Sequence, residues 1–340
     1  MTKTLINILK FIIPLGLGVF LIWWVVKDLD AKDKEDIRKS FLEANYFWIL
    51  IAMLAGLFSH LSRAYRWLLM LEPLGYKSKF RNSFFAVAIG YGANLLFPRL
   101  GEVVRCGVMN KYEKIPLPPL LGTVVAERLI DMLILLLLTF ITLVTQYELL
   151  AENTSKYFLV PLGEKIGLLQ NSIVMATVLG ILFLVVPVIL FFVFRNKLKS
   201  FFNKISGITK SFAEGLVAIK NVKNKGAFIF HSLAIWTLYI LMLYFSTFAL
   251  AETKGLSMDA MLAAFVFGTF GMVFSQGGIG FYPLILQVTL QLYGASEIGG
   301  FAFGWLTWTS QTLLLILLAI ASLILVQHLN KNGTTAQNKA

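Results

Sequence analysis

Long apolar runs recur from one end of the chain to the other, and each has the length of a membrane-spanning helix. A bilayer core about 30 Å thick is crossed by roughly 20 apolar residues in helical conformation. The alternation of apolar and polar positions that marks barrel strands is absent. We therefore predict an all-α polytopic integral membrane protein with about six full transmembrane helices: 8–26, 46–70, 119–145, 172–194, 227–250 and 300–327.

Two further apolar stretches, 82–98 and 258–292, are interrupted by glycine and proline. Each starts as an apolar helix with small residues at intervals, breaks, and passes through a glycine-containing turn into a second apolar segment. Their weak similarity and the charges of the flanking loops predict two re-entrant helical hairpins that enter from opposite faces. Such an inverted repeat is typical of transporters. The alternative is a pair of ordinary helices kinked by glycine.

The net charge of +12 is concentrated in one loop between two predicted spans. Between Arg195 and Lys225 there are eight basic residues and one acid, Glu214. Under the positive-inside rule, the basic loop 195–226 is cytoplasmic. A solvated loop beside anionic lipid head groups accounts for this charge, so no nucleic-acid partner is expected.

The remaining loop charges give one consistent path through the plasma (inner) membrane. The balanced loop 27–45 fits the outer face, and Lys77–Arg81 fits the inner face. Only 14% of residues are charged, where a soluble domain has roughly a quarter. We predict a single transmembrane domain over 1–340, with halves of about 8–145 and 172–327, a retained first helix and both termini in the cytoplasm.

Three ionisable residues interrupt the apolar helix 119–145. Glu127 and Asp131 are four positions apart on one helix face, and Arg128 is three positions before Asp131. A charge near the bilayer centre costs several kcal/mol unless it is paired or faces water, so it marks a functional site by default. The alternative is a structural ion pair that holds helices together.

A second polar cluster surrounds the break of the first hairpin. Asn94 precedes Pro98 by four residues, and Arg99, Glu102 and Arg105 recur at a spacing of three, which predicts one face of a helix. Backbone groups freed by a break at membrane depth must be satisfied by protein or must line a wet cavity. Two guanidinium groups beside a helix start are well suited to bind a phosphate.

Two more arginines, Arg63 and Arg66, lie three residues apart near the inner end of the helix 46–70. They could join the phosphate site at the first hairpin. They could instead extend along the helix to the membrane interface, as long basic side chains near helix ends do.

Three motifs together resemble the lysylphosphatidylglycerol synthase transmembrane family, which is also called flippase-like. The motifs are Asn94–Arg105, Glu127–Asp131 and Gly277–Gly280. The resemblance covers about residues 8–327 and implies two opposed re-entrant hairpins and a role in moving lipids between leaflets. In the fused synthases a soluble aminoacyl-transferase domain follows the membrane region. This chain ends at Ala340, so we expect a stand-alone membrane domain.

The second hairpin departs from the pattern of that family. The family commonly has a proline before the paired glycines and an acid shortly after Gly280. Here Ser275 and Gln276 precede the glycines, and the segment Phe281–Pro283 follows them. Any role of a carboxylate at this place is therefore lost, or it passes to Gln276 or Tyr282.

No recognisable catalytic motif is present in the sequence. The three histidines, His60, His231 and His328, are far apart, and there is no Walker A, H-E-x-x-H, nucleophile-elbow or dinucleotide-binding sequence. We therefore predict no catalytic residue, no metal and no other cofactor. Without an ATP site, any transport is facilitated, coupled to an ion or driven by another protein.

The residues favour a lipid translocase. The arginines would receive an anionic head group, carried by a phospholipid, an aminoacyl-lipid or a polyprenyl-phosphate-linked sugar, while the acids hold the arginines in place. The alternatives are an integral membrane lipid transferase and a non-catalytic partner of a separate lipid-modifying or glycosylating enzyme. The candidate substrate-binding residues are Asn94, Arg99, Glu102, Arg105, Glu127, Arg128, Asp131, Gln276, Gly277, Gly278 and Gly280, with Arg63 and Arg66 as secondary candidates.

The predicted topology can be tested by labelling single cysteines after Cys106 is replaced. A cysteine at Lys210 should react only from the cytoplasmic side, and cysteines at Asp36 and Lys156 only from outside. Tags before residue 8 and after residue 331 should both be cytoplasmic. Termini on opposite faces would remove one hairpin and, with it, the inverted repeat.

Overall fold

The computed structural model describes residues 27, 30–97, 99–149, 213, 215–275 and 277–337. The predicted helices 8–26 and 172–194, most of the basic loop 195–226, and Gln276 lie outside these described residues. Within them the chain is all-helical, as predicted. The helices are α1 (Ala31–Glu43), α2 (Tyr46–Leu71), α3 (Phe80–Leu96), α4 (Leu100–Glu113), α5 (Leu117–Thr145), α6 (Lys225–Thr247), α7 (Met258–Phe274), α8 (Phe281–Gln291) and α9 (Glu297–Gln337).

Three helical segments of the described part are long and apolar enough to cross a membrane. They are Tyr46–Leu74, Lys225–Thr247 and Glu297–Asn330. Each corresponds to one of the predicted spans. The 29-residue α5 lies where the span 119–145 is predicted, and it carries the three ionisable residues within an otherwise apolar sequence.

The predicted loop 27–45 contains the helix α1. This helix is polar, so the search for apolar runs in the sequence does not detect it. Asp30 caps α1: its carboxylate accepts a hydrogen bond from the backbone N of Asp33 at 2.7 Å, and the Asp33 carboxylate accepts one from the backbone N of Asp30 at 3.1 Å. This reciprocal pattern satisfies two backbone donors that the first helical turn leaves free. The hydroxyl of Ser40 then joins α1 to Glu252, 2.9 Å away.

α2 and α6 pack side by side and run antiparallel. The backbone N of Asn45, which caps the start of α2, donates to the carbonyl O of Ala249 just after α6, at 2.8 Å. At the other end, Lys223 Nζ lies 3.2 Å from the carboxylate of Glu72. We call the end with Glu72 and Lys223 the lysine-rich end, because the connecting segments there carry Lys77, Lys79, Lys114, Lys220 and Lys223.

α3 and α4 form the first hairpin, and both of its ends lie at the lysine-rich end. Glu113, the last residue of α4, accepts hydrogen bonds from the side chain of Asn82 and the backbone N of Lys79, at the start of α3. The two helices come into backbone contact between Gly90 and Gly101. A Cβ on Gly90 would lie 2.8 Å from the carbonyl O of Gly101, so only glycine permits this approach.

α7 and α8 form the second hairpin, and its ends lie at the opposite end of the molecule. Gln146, which follows α5, donates to the carbonyl O of Asp259 at 3.1 Å and accepts a hydrogen bond from the hydroxyl of Tyr293. Asp259 lies at the start of the hairpin and Tyr293 just after it. Gly268 of α7 allows close packing, since a Cβ there would lie 2.6 Å from Leu286 Cδ1 of α8.

α9 runs the length of the bundle and packs against both hairpins. Towards its C-terminus, the amide of Asn330 donates to the side chain of Asn82 in α3 at 3.0 Å. Nearer its N-terminus, Gly304 lies against α8, where an added Cβ would approach Pro283 Cα to 2.7 Å. The two hairpins therefore extend along α9 from opposite ends.

The tips of the hairpins meet beside the middle of α9. Gly92, near the end of α3, packs so closely on Ala319 that it has no room for a Cβ. Trp308 Nε1 donates to the carbonyl O of Gly277, in the turn of the second hairpin, at 2.8 Å. A Cβ on Gly277 would lie 3.6 Å from Leu95 in the first hairpin. The turn itself uses positive φ angles at Gly277, Gly278 and Gly280, which glycine adopts without strain.

The glycine contact in the first hairpin can be tested with a matched pair of substitutions in α4. Gly101→Ala should destabilise the protein by about 1–3 kcal/mol, because the new Cβ would clash with the carbonyl O of Gly90 and with Asn94. Gly107→Ala should be neutral or slightly stabilising, because no atom lies within 4 Å of its Cβ position. Unfolding temperatures in detergent measure both effects. Equal values for the two variants would contradict the close approach of α3 and α4.

Candidate functional site: a buried arginine–carboxylate network

Five buried ionisable side chains from three helices meet beside the first hairpin. α2 presents Arg63 and Arg66, three residues apart, and α5 presents Glu127 and Asp131, four residues apart; each pair shares one helix face. α4 adds Arg105. None of the five is more than 7% exposed. Full burial of isolated charges would be prohibitive, so their pairing decides how these helices pack.

Glu127 is the acceptor at the centre of the network. Its Oε1 accepts from Arg63 Nη1 at 2.7 Å and lies 3.2 Å from Arg66 Nη2. Its Oε2 accepts from Arg105 Nη2 at 2.8 Å. These are the short distances of charge-assisted hydrogen bonds. One fully buried carboxylate thus joins α2, α4 and α5.

Asp131 repeats the arrangement one helical turn further along α5. Its Oδ2 accepts from Arg63 Nη1 at 2.7 Å, and its Oδ1 accepts from Arg66 Nη2 at 2.8 Å. Arg66 also has a weaker contact to α6, through the hydroxyl of Ser232 at 3.4 Å. Three arginines and two carboxylates therefore form one buried block that carries an excess positive charge.

Arg128 and Glu102 form the outer edge of the network. Arg128 lies 3.5 Å from Glu102 Oε1 and 3.5 Å from Asp131 Oδ2, which is longer than any other arginine contact to Asp131. Its side chain is 39% exposed, and that of Glu102 is 25% exposed. With this pair included, four arginines face three carboxylates, and the whole network carries one net positive charge.

A narrow cleft with a cavity volume of about 10 Å³ lies between the first hairpin and α5, beside this outer edge. Three of the residues that line it have a buried polar atom without a hydrogen-bond partner: Nε of Arg105, Nε of Arg128 and Oε2 of Glu102. Leaving a buried donor or acceptor unpaired costs about 1–3 kcal/mol. Arg63 and Arg66, which do not line the cleft, also have unpaired Nε atoms, so unused hydrogen-bonding capacity is a property of the whole network. The residues lining the cleft are Val87, Gly90, Tyr91, Asn94, Gly101, Glu102, Arg105 and Arg128.

Aromatic side chains hold the inner arginines in position. The guanidinium carbon of Arg105 lies 3.9 Å from the ring centre of Trp67, and Trp67 Nε1 is itself fixed by a 2.9 Å bond to Thr123. The guanidinium of Arg63 lies 5.9 Å from the ring centre of Tyr91. Such cation–π contacts partly replace the water that a buried cation has lost.

The structure brings together most of the ionisable residues that the sequence singles out, and it shows which of them pair. Arg63 and Arg66 are 2% and 0% exposed and bind the carboxylates, so extension to the interface is the wrong interpretation for them. Glu127 bonds to arginines of other helices, whereas its neighbour Arg128 pairs with Glu102 and Asp131. No motif in the sequence signals these pairings between distant segments.

The break of the first hairpin also differs from its prediction. Arg99 caps α4 with a left-handed backbone (φ 63°) and an exposed side chain, so it does not share a helical face with Glu102 and Arg105. Asn94 Oδ1 accepts from the backbone N of Gly101 at 2.7 Å, which closes the break. Trp67 and Tyr91 are contacts that the sequence analysis missed, since aromatic residues on an apolar helix carry no distinctive signal.

The second hairpin presents no comparable charges among its described residues. Gly277 is held by Trp308, and Tyr282 accepts a 3.3 Å hydrogen bond from Gln311 on α9. Gly278 is buried against Met272 and Tyr282. Nor do the described residues contain a group of three or more His, Cys, Asp or Glu side chains that could hold a metal ion. The charged chemistry described here is confined to the first hairpin and its neighbours.

Comparison with known proteins agrees with the motifs. The family model of the lysylphosphatidylglycerol synthase TM region matches residues 11–320. The chain belongs to this family. A curated relative, UPF0104 membrane protein MJ1595 of Methanocaldococcus jannaschii, is 30% identical over 108 residues, which is 31% of this chain and 32% of that protein. The match thus spans about a third of that relative. No solved structure matches the chain.

The network predicts that loss of Glu127 is far more damaging than loss of an exposed carboxylate. Glu127→Gln removes the charge that three buried arginines share, which should destabilise the protein by about 3–5 kcal/mol. Glu35→Gln is the matched control, since its pair with Arg38 is solvent-exposed and should contribute nothing measurable. Thermal unfolding in detergent compares the two variants. A Glu127→Gln protein as stable as the control would show that the buried network does not hold the fold together.

Proposed function

We propose that this protein moves an anionic lipid, or a lipid-linked anionic head group, between the leaflets of a membrane. The observation that carries the proposal is the net positive charge of a buried network whose outer arginine, Arg128, faces a cleft at the break of the first hairpin. A guanidinium at such a place suits a phosphate oxygen. A charged group at membrane depth is a functional site by default.

The proposed path through the membrane uses both hairpins as re-entrant elements. α3 and α4 have 17 and 14 residues, which is about 26 and 21 Å of helix, shorter than the roughly 30 Å core. α7 and α8 are also short, with 17 and 11 residues. Each hairpin has both ends at one end of the bundle, so each would enter a bilayer and return.

The lysine-rich end is the proposed cytoplasmic side, in the plasma (inner) membrane, with both termini there. Its connecting segments carry the lysines Lys77, Lys79, Lys114, Lys220 and Lys223, and the positive-inside rule places such segments in the cytoplasm. The first hairpin would then open from the cytoplasm and the second from outside. Their meeting tips would separate the two aqueous sides.

The proposed mechanism binds the head group and leaves the tails in lipid. The phosphate would replace Glu102 as the partner of Arg128, while Glu127 and Asp131 keep the inner arginines in place. The exposed apolar side chains Leu100 and Val103, which flank the lining residues Gly101 and Glu102 in the sequence of α4, would contact the acyl or prenyl chains. A head group that arrives at one face could then pass the hairpin tips when their packing changes.

The protein is proposed to act without chemical change to the lipid. An integral membrane transferase and a non-catalytic partner of a lipid-modifying enzyme are the other two readings of the same arginines. Each gives a different result when the purified protein is placed in a membrane of defined composition, because only the translocase moves a lipid without altering it.

The test is a leaflet assay in liposomes with a labelled anionic lipid. The purified protein should move the label between leaflets, saturably with lipid fraction and without chemical conversion. Arg128→Gln should slow the movement by roughly tenfold or more, the effect of losing one charge-assisted hydrogen bond. Lys111→Gln is the matched control, since Lys111 is an exposed cation at the other end of α4, outside the cleft.

Three results would overturn the proposal. Conversion of the labelled lipid by the protein alone would favour the transferase. No movement of any anionic or prenyl-phosphate lipid, by a folded protein, would favour the partner protein. Movement that does not saturate, and that Arg128→Gln leaves unchanged, would indicate a nonspecific membrane defect.

A further inference from the structure

Glu102 is the one carboxylate of the network that is not fully engaged. Its Oε1 has a single contact, 3.5 Å from Arg128, and its Oε2 has no hydrogen-bond partner. Glu127 and Asp131, in contrast, use both oxygens in contacts of 2.7–3.2 Å. Of the three acids, Glu102 can therefore leave its arginine with the smallest loss of binding.

The position of Glu102 places it in competition with any anion that enters the cleft. It lies in the first turn of α4, at the break of the hairpin, and it lines the cleft together with Arg105 and Arg128. Arg105 is only 3% exposed, and its Nε, like that of Arg128, lacks a partner. Glu102 lies 3.5 Å from the guanidinium of Arg128. A phosphate oxygen that replaced Glu102 could bind Arg128 more closely, with Arg105 nearby.

Charge balance then limits what the cleft can accept. With all seven groups ionised, the network carries one excess positive charge, and removal of the Glu102 charge would raise that value to +2. A group with one negative charge brings the network to neutrality. A phosphomonoester carries close to two negative charges above its second pKa of about 6, so it would leave the network with an excess negative charge. An excess charge of either sign is costly where water is largely excluded.

The cleft is narrow. Its cavity volume of about 10 Å³ leaves room for about one water-sized group, far below the roughly 300–1,000 Å³ of pockets that enclose a drug-sized ligand. A phosphate would therefore reach the arginines at the partly exposed edge formed by Arg128 and Glu102, by taking the place of the Glu102 carboxylate. Selection would act on the charge of that one group.

We propose that Glu102 is a specificity-determining residue that fixes the net charge of the site at +1 and so selects head groups with a single negative charge, a phosphodiester over a phosphomonoester. This inference rests on the proposed function, because it takes the cleft as the head-group site. The inference adds selectivity for head-group charge, which lipid translocation alone does not require. Removing the charge of Glu102 should change which lipid binds, not only how tightly it binds.

The test compares two short-chain probes with the purified protein in detergent at pH 8: dioctanoyl phosphatidylglycerol, a phosphodiester, and dioctanoyl phosphatidic acid, a phosphomonoester. Binding is followed by the rise in unfolding temperature with lipid concentration, since a ligand stabilises the state that binds it. The unaltered protein should bind the phosphodiester more tightly. Glu102→Gln raises the site to +2 and should shift the affinity ratio at least tenfold towards the phosphomonoester.

Two further variants separate the charge rule from a general effect on the fold. Arg128→Gln lowers the site to neutral and should weaken both probes. Glu113→Gln, which removes an acid at the far end of the same helix, should leave the ratio unchanged. A Glu102→Gln protein that binds both lipids with the original ratio would overturn the inference, and so would an unaltered protein that prefers the phosphomonoester.

The outcomes are distinguishable from those of the leaflet assay. If phosphatidylglycerol binds and the ratio shifts in Glu102→Gln, but no lipid crosses between leaflets, the selectivity rule stands and the translocase proposal fails. If lipid crosses saturably and Arg128→Gln slows it, but the ratio in Glu102→Gln does not shift, the translocase stands and the role of Glu102 fails.

Discussion

The cost of burying charge is the constraint on which this structure depends. Glu127 and Asp131 lie on a helix that is otherwise apolar, where neither water nor their own helix can satisfy them. Arg63 and Arg66 from α2, and Arg105 from α4, supply the missing donors at 2.7–3.2 Å. A buried pair that loses one member leaves an uncompensated charge, so these helices must pack in one relative position.

That position determines the geometry of the first hairpin. Because Arg105 is bound to Glu127, α4 lies against α5, and the contact between Gly90 and Gly101 then brings α3 close on its other side. The break of the hairpin, with Glu102 on it, is consequently held beside Arg128. Arg128 is paired more loosely than the other arginines of the network. It can therefore exchange its partner Glu102 most easily, as the proposed binding of a head group requires.

The two hairpins share a shape but differ in chemistry. Both are pairs of short helices in glycine-mediated contact, and α9 aligns their tips from opposite ends. The described residues of the first carry ions, whereas the turn of the second is held by neutral contacts from Trp308 to Gly277 and from Gln311 to Tyr282. Among the described residues, the shared backbone shape is thus combined with one cluster of buried charges, which lies beside the first hairpin.

The sequence by itself determines the class of fold, because apolar runs of spanning length and the breaks at glycine and proline are local patterns. It also identifies the family and most of the ionisable residues, since a charge within an apolar helix is conspicuous. The sequence does not show which arginine pairs with which carboxylate. Arg63 and Glu127 are separated by 64 positions, and only the packing of their helices brings them to 2.7 Å. The exposure of Arg99, the burial of Arg66 and the helix α1 were likewise decided by tertiary contacts and local capping, which hydropathy does not register.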